Sequence, residues 1–270
     1  MGASRKDEYS RLAALVAATR ETNGDLFGKA MVDWLRLYVG FDHCVIFGYR
    51  GASRPPLLFE TFSPAERHVF VALYQEGPYL LDPFHHAAVE RKEGFWRMRE
   101  LAPDRFYASE YFRSYYSQTR LAEEVGFFVP LPGKDALVLS LMRLRASGPF
   151  GTADARLLRD MAPAVISLAR FRWPALPADE PAESMQDETL PAVNEFDRAH
   201  IWESLSLTPR EKHVVDLVLQ GHSTESIARA MRIVPGTVKV HRRNIYRKLK
   251  IKSQAGLFAR FVEIIEARIR

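Results

Sequence analysis

The sequence predicts an α+β domain built around an antiparallel sheet, joined by a polar linker to a smaller all-α unit of four helices. Three observations carry that expectation. Residues 1–173 hold strand-like runs separated mostly by Gly/Pro turns, the order of hairpins and not of crossover helices. Residues 174–194, within WPALPADEPAESMQDETLPAVN, are rich in proline and acids and poor in large apolar side chains, the composition of a solvated connection. Residues 195–270 break into short capped helices and concentrate positive charge. Positions 207–270 hold 14 Lys and Arg against 5 Asp and Glu, while the rest of the chain holds 24 against 28. Such asymmetry points to a polyanionic partner at the C-terminal end alone.

Two amphipathic helices open the chain, at 7–22 with Leu12, Leu15 and Val16 inward, and at 25–39 with Phe27, Met31, Trp34, Leu35 and Tyr38 inward. The run 43–49 is a strand by its β-branched and aromatic content, and 57–62 is its hairpin partner. Ser63-Pro64-Ala65-Glu66 carries a hydroxyl, a proline and a capping glutamate at the spacing that starts a helix, expected to reach Gln75. A short helix to Glu93, the segment Phe95-Trp96 and a helix over 104–119 follow. The last carries Phe106, Tyr107, Tyr111, Phe112, Tyr115 and Tyr116, more aromatic than a packing stripe requires. Strands at 126–131 and 136–144, around Pro132-Gly133-Lys134-Asp135, complete a sheet of about four strands, and a helix at 152–172, kinked at Pro163, closes the domain. Helices on both faces of such a sheet make an α/β/α sandwich of the PAS/GAF-like sort, an architecture that commonly encloses a small-molecule pocket.

After a short helix at 195–205, Thr208-Pro209-Arg210-Glu211 caps the next helix, and Gly221 ends it. Ile227, Ala228 and Met231 are the buried face of a second helix that begins near Ser223, and a third runs from Pro235 to about Leu249. Along the third, Val238, Ile245 and Leu249 share one stripe, so Gly236, Val240, Arg243 and Arg247 point the other way with Lys239 and Asn244 on the flanks. A cationic face, small near its start, on a rod of this width suits the major groove of DNA.

The segments LTPRE, VVDLVLQGHS and GTVKVHRRNIYRKLKIKSQAGL resemble the helix-turn-helix domain of LuxR-type transcription regulators. That resemblance implies a four-helix DNA-binding domain, dimeric on a pseudo-palindromic site, whose third helix enters the major groove. It places Lys239, Val240 and Arg243 at base edges, and Thr237, His241 and Lys248 near the backbone or supporting the helix. Arg247, on the outward face by its spacing, is expected to meet phosphate. Two positions depart from the family pattern. Arg232 stands where glycine usually ends the second helix, and Val234 where a serine usually caps the third. A final helix capped by Ser253 carries Leu257, Phe258, Phe261, Val262, Ile264, Ile265 and Ile269, more apolar surface than one small domain buries, so part of it is expected to pair with a second copy.

In the N-terminal half, Tyr79-x-x-Asp82-Pro83, Trp96 and Gly126-x-x-Val129-Pro130 more loosely resemble the autoinducer-binding domain of quorum-sensing LuxR-type regulators. The resemblance implies that Asp82 accepts a hydrogen bond from a ligand amide and that Trp96 lines the pocket. Phe70 and Leu73-Tyr74 stand where that family has Trp and Tyr, so the donor for a lactone carbonyl is missing. The effector expected is another small amphiphile, an amide, amine or acyl compound, touched by Tyr74, Tyr79, Asp82, Trp96, Tyr111 and Tyr115. Two alternatives stay open: Asp82 solely caps the helix starting at Pro83, and the N-terminal half is solely a dimerisation or protein-interaction module.

Other readings are weaker. His43-Cys44 lie on opposite faces of a strand, which suits a buried structural cysteine better than a nucleophile with its base. Asp82, His85 and His86 offer metal-ligand types, but no further His/Cys cluster completes a set, so neither metal nor cofactor is expected. With no phosphate-binding glycine loop or nucleophile elbow, no enzyme is expected either. The expected partners are double-stranded DNA, the small-molecule effector, RNA polymerase and a second copy in a homodimer. No apolar run approaches bilayer length, the start MGASRKDEYS lacks a signal-peptide core, and a lone cysteine suits a reducing cytoplasm.

Overall fold

The structure, a computed structural model, describes residues 5–21, 23–177 and 205–269. The short helix expected at 195–205 and most of the linker fall outside the described residues. Helices α1 (Arg5–Ala18) and α2 (Gly24–Leu35) precede strands β1 (His43–Arg50) and β2 (Leu57–Glu60). Then come α3 (Pro64–Arg67), α4 (Pro83–Val89), β3 (Gly94–Arg97), α5 (Met98–Leu101), α6 (Glu110–Ser114), β4 (Leu121–Pro130), β5 (Asp135–Leu144) and α7 (Thr152–Arg172). Five strands form one antiparallel sheet in the order β2-β1-β5-β4-β3. The edge strand β3 is the Phe95-Trp96 segment, which pairs with β4 through Trp96 opposite Gly126. β4 begins at Leu121, five residues before the expected start, because Glu123 and Glu124 are drawn into the sheet as buried members.

Alternation along the strands sorts the interior into two layers. Cys44, Ile46, Phe127, Leu139 and Leu141 face α1, α2 and α7, meeting Leu15, Phe27, Met31 and Leu158. α7 runs 21 residues through Pro163. Trp173 and Leu176 belong to the same layer; the Phe27 and Trp173 rings meet edge to face at 5.1 Å, so the chain is packed two residues beyond the expected start of the linker. The opposite face carries Val45, Phe47, Tyr49, Val138 and Met142 against the segment from α3 to α6.

That segment is less regular than its composition suggests. Ser63 and Glu66 form the expected capping box, but after Arg67 the backbone widens into a π-helix over His68–Leu73, which turns Phe70 and Val71 inward. The single helix expected over 104–119 is instead a 3-10 turn at Phe106–Ala108, the short α6 and a second 3-10 turn at Tyr116–Thr119. Ser109 makes the break: its hydroxyl donates to Phe106 O and accepts from Phe112 N–H, restarting the helix on a new axis.

The C-terminal unit holds α8 (Pro209–Gln220), α9 (Thr224–Met231), α10 (Pro235–Leu249) and α11 (Gln254–Ile269). Thr208 and Glu211 cap each other reciprocally, and Gly221 closes α8 in the left-handed region at φ 98°. Val214, Val215, Ile227, Val238, Ile245 and Leu257 make its core.

The two units touch. Asp104 accepts the Ser223 N–H at the start of α9 (3.0 Å), and Arg105 N–H donates to Gly221 O (3.0 Å). Here Gly221 is required twice, since a Cβ would sit 3.0 Å from the Phe106 Cα and any side chain would be strained at that φ. Ile265 of α11 packs over Gly77. Leu257, Phe261 and Ile265 are buried within the chain, where the N-terminal unit supplies apolar surface against the last helix, while Phe258, Val262 and Ile264 are only partly buried.

Candidate functional site

Two constellations stand out. The first is the outward face of α10. Its inward stripe, Val238 and Ile245, is buried, while Lys239, Val240, Arg243, Arg247 and Lys248 are exposed and Thr237, His241 and Asn244 are half-buried. Arg247 bonds Asn244 Oδ1 at 3.3 Å, along the helix surface. Lys248 instead reaches back: its ammonium lies 2.7 Å from Glu211 Oε2, tying the end of α10 to the start of α8. Burial alone would raise the Glu211 carboxyl, but Lys248 and the Thr208 donors outweigh it and hold it below the usual range. At the other end, Val234 has N-cap geometry without an acceptor, and Arg232 closes α9 in the left-handed region at φ 54°.

The second is a cavity on the α3–α6 side of the sheet. Its volume is about 30 Å³, and its wall includes Tyr49, Tyr74, Asp82, Tyr111, Tyr115, Tyr116, Glu124 and Ser140. Each element places its residue for a local reason. Asp82 precedes Pro83 and caps α4 by accepting the Phe84 N–H at Oδ1 (2.8 Å), which leaves Oδ2 to accept the Tyr74 hydroxyl (2.7 Å). Tyr74 shares a second bond with Tyr49 at 2.9 Å, so β1, the π-helical segment and the α4 cap form one chain of hydroxyls ending on a carboxylate. Glu124 and Ser140 share one sheet face as diagonal neighbours, since Glu124 pairs with Met142 and Ser140 with Gly126.

Neither Asp82 nor Glu124 pairs with a Lys, Arg or His among the described residues. Burial drives both carboxyls up; for Glu124 the Asp82 charge adds to it and the Ser140 bond opposes it. For Asp82 the Tyr74 and Phe84 donors oppose the rise. The surrounding tyrosines are raised as well, by burial first and by these carboxylates second.

The cavity gathers four of the six expected ligand contacts, Tyr74, Asp82, Tyr111 and Tyr115. Tyr79 is buried elsewhere, its hydroxyl donating to Ala52 O at 2.8 Å. Trp96 stands on the edge strand, where its indole N–H donates to Glu93 O and Lys92 covers its ring, so it lines no wall of this cavity. The expected room is also reduced: aromatic rings fill most of the space, and Tyr74 gives Asp82 the donor anticipated from a ligand. Sequence reasoning missed Glu124 and Ser140. A carboxylate and a hydroxyl inside otherwise apolar strand runs were the available signal. Cys44 is buried in β1 and burial pushes its thiol up, the environment of a structural cysteine.

Among the described residues no helix is long and apolar enough to cross a membrane. Comparison with known proteins places this geometry. Residues 205–260 match the family described as bacterial regulatory proteins, luxR family. A protein of Aeromonas salmonicida named "Putative HTH-type transcriptional regulator in exeN 3'region" is 34% identical over 184 residues, 67% of this chain and 93% of that protein. The nitrate/nitrite response regulator protein NarL of Escherichia coli K12 is 33% identical over 103 residues, 38% of this chain and 47% of NarL. The crystal structure of the VqsR LBD domain from Pseudomonas aeruginosa superposes with a TM-score of 0.52 at 25% identity, covering 61% of this chain and 94% of that one. A four-helix unit with an exposed cationic third helix, and similarity running through nearly the whole Aeromonas relative, lead to one conclusion: the chain belongs to the luxR family of bacterial regulatory proteins and is a DNA-binding transcription regulator.

Proposed function

We propose that this regulator reads its operator with α10 in the major groove and that a small molecule bound by the N-terminal unit sets its activity. The observation that carries the first part is the exposed set Lys239, Val240, Arg243 and Arg247 on the side of α10 opposite Val238 and Ile245. Arg243 pairs with a guanine edge, Lys239 and Val240 meet neighbouring bases, and Thr237, His241, Asn244 and Arg247 serve the backbone. Lys248 supports the helix through Glu211. The proposal divides the chain into an effector unit to about residue 177, a linker, and the DNA-binding unit, the functional form being a dimer that recruits RNA polymerase.

Binding sites selected from random DNA, followed by anisotropy titrations, test the assignment. Arg243→Ala is expected to cost about 1–3 kcal/mol on selected DNA and to relax preference at one base position. Arg247→Ala is expected to weaken selected and random DNA alike and to reduce the salt slope by about one. Equal losses on both DNAs for Arg243→Ala would overturn its role.

What supports effector control is the pair of buried carboxylates among tyrosine hydroxyls, a costly arrangement for folding alone. A ligand at 100 times its dissociation constant stabilises by about 2.7 kcal/mol, which a thermal-shift screen of amides, amines and acyl compounds detects. A shift that survives in Asp82→Asn for every active compound would reject the cavity as its site.

A further inference from the structure

Beside the small cavity lies a larger space. A groove of about 500 Å³ opens between the N-terminal unit and α11, with Leu81 and Pro78 on one side and Phe258, Phe261, Val262 and Ile265 on the other. Its walls are mostly carbon, and its volume falls in the range that small-molecule sites occupy. Tyr111 and Tyr115 line both the groove and the carboxylate cavity, so these two rings are the partition between them.

The two spaces have complementary chemistry. At about 30 Å³ the cavity has room for a group the size of a water molecule or an ammonium ion, and no more. It offers two buried carboxylates without a cation, while the groove is lined mostly by apolar side chains, and its one carboxylate, Glu76, is exposed to solvent. A molecule matching both has a compact cationic head and a hydrocarbon tail.

We propose that the effector is a primary alkylamine-like amphiphile whose ammonium reaches Asp82 and Glu124 by parting the Tyr111 and Tyr115 rings, 5.6 Å apart between centroids without it, and whose chain lies in the groove against Phe258, Phe261, Val262 and Ile265. This rests on the effector reading above and adds the ligand class and the second half of its site. One ligand then touches both units, and because the groove exists only while α11 is docked, binding favours the docked arrangement over any in which α11 leaves. The cation also supplies the charge that burial withholds from the two carboxyls, so the head ionises them as it enters.

Calorimetric titration of the full chain with butylamine, octylamine and octanol tests the proposal. Octylamine is expected to bind at least tenfold tighter than butylamine, since added methylenes enter apolar surroundings, and at least tenfold tighter than octanol, which lacks the charge. Glu124→Gln should remove the preference over octanol. Val262→Ser should shrink the preference over butylamine while leaving butylamine unchanged. A reading that needs no variant is proton release: heats of octylamine binding should differ between phosphate and HEPES buffers by the sign that ionisation of a carboxyl requires. Octanol binding as well as octylamine, or octylamine no better than butylamine, or no binding by either amine, would overturn the proposal. A different compound whose thermal shift depends on Asp82 would then leave the effector reading standing without this one.

Discussion

Glu123 and Glu124 are neighbours in β4, equally buried, and they live in different chemistry because successive strand residues point to opposite faces. Glu123 turns to the α7 side. There the Arg97 guanidinium donates twice, Nε–H to Oε1 at 2.7 Å and Nη2–H to Oε2 at 2.6 Å, Phe150 N–H adds a third bond, and Arg97 also donates to Phe150 O. The result is a closed clamp joining β3, β4 and the entry to α7. Glu124 turns to the α4 side and has the Ser140 hydroxyl and the repulsion of Asp82. A buried carboxylate with all its donors built in holds the fold together; one left short of a cation is where an outside cation gains most.

The largest test of that contrast is Arg97→Ala. It removes both guanidinium bonds from buried Glu123 and leaves it the Phe150 N–H and the more distant, half-exposed Arg99 at 3.5 Å; breaking a buried pair typically costs about 3–5 kcal/mol. Urea unfolding of the full chain measures it, and a loss under about 1 kcal/mol would erase the difference between the faces. Glu124→Gln should act with the opposite sign. The folded chain holds this carboxyl protonated while the unfolded chain releases the proton near 4.5, so the folded state binds more protons above that pH and wild-type stability falls as pH rises through neutrality. The amide does not titrate. Near pH 8 the variant should therefore be more stable than wild type, on the order of 1–3 kcal/mol, with the gap closing as pH falls toward 5. A parallel pH profile for the two proteins would mean Glu124 has a partner after all.

The same division explains what could be read from residues in order. The capping boxes at Ser63 and Thr208, the left-handed end at Gly221 and the inward stripe of α10 were legible because each depends on groups within a few positions of one another. Asp82 was legible as a cap for the same reason. Its link to Tyr74 and Tyr49, the turning of Ser109 against Phe106, and the meeting of Glu124 with Ser140 depend on register between distant strands and turns, which spacing does not encode. Trp96 was misplaced because the Phe95-Trp96 segment is the edge strand, and an edge residue pairs outward with Lys92. The docking of α11 on Gly77 was invisible because its apolar surplus suits a second copy as well as it suits the other half of the chain.

The smallest test carries the accounting of donors and acceptors to the DNA-binding unit. Asn23, Ser63, Asp82, Thr208 and Ser223 each put a side-chain oxygen on an amide at the start of a helix; Val234 takes up the same extended backbone, φ −82° and ψ 150°, and offers none. Its side chain is 65% exposed, so replacing it removes little apolar contact. Thr237 N–H already donates to Val234 O at 2.9 Å, so serine there should accept the Gly236 N–H and stabilise by about 0.5–1 kcal/mol. Arg232→Gly relieves a left-handed backbone at φ 54° and should add a similar amount at the end of α9, less the entropy that glycine gains in the unfolded chain. Thermal unfolding measures the sum, and amide exchange locates it: the Gly236 amide should slow in Val234→Ser while amides of β4 and β5 stay as they were. Base preference on selected DNA should be unchanged, since Val240 and Arg243 keep their places on the helix. A stabilisation without slowing at Gly236 would show that the gain comes from losing an exposed valine, and the start of α10 would then no longer count as a place where the fold leaves donors unpaired.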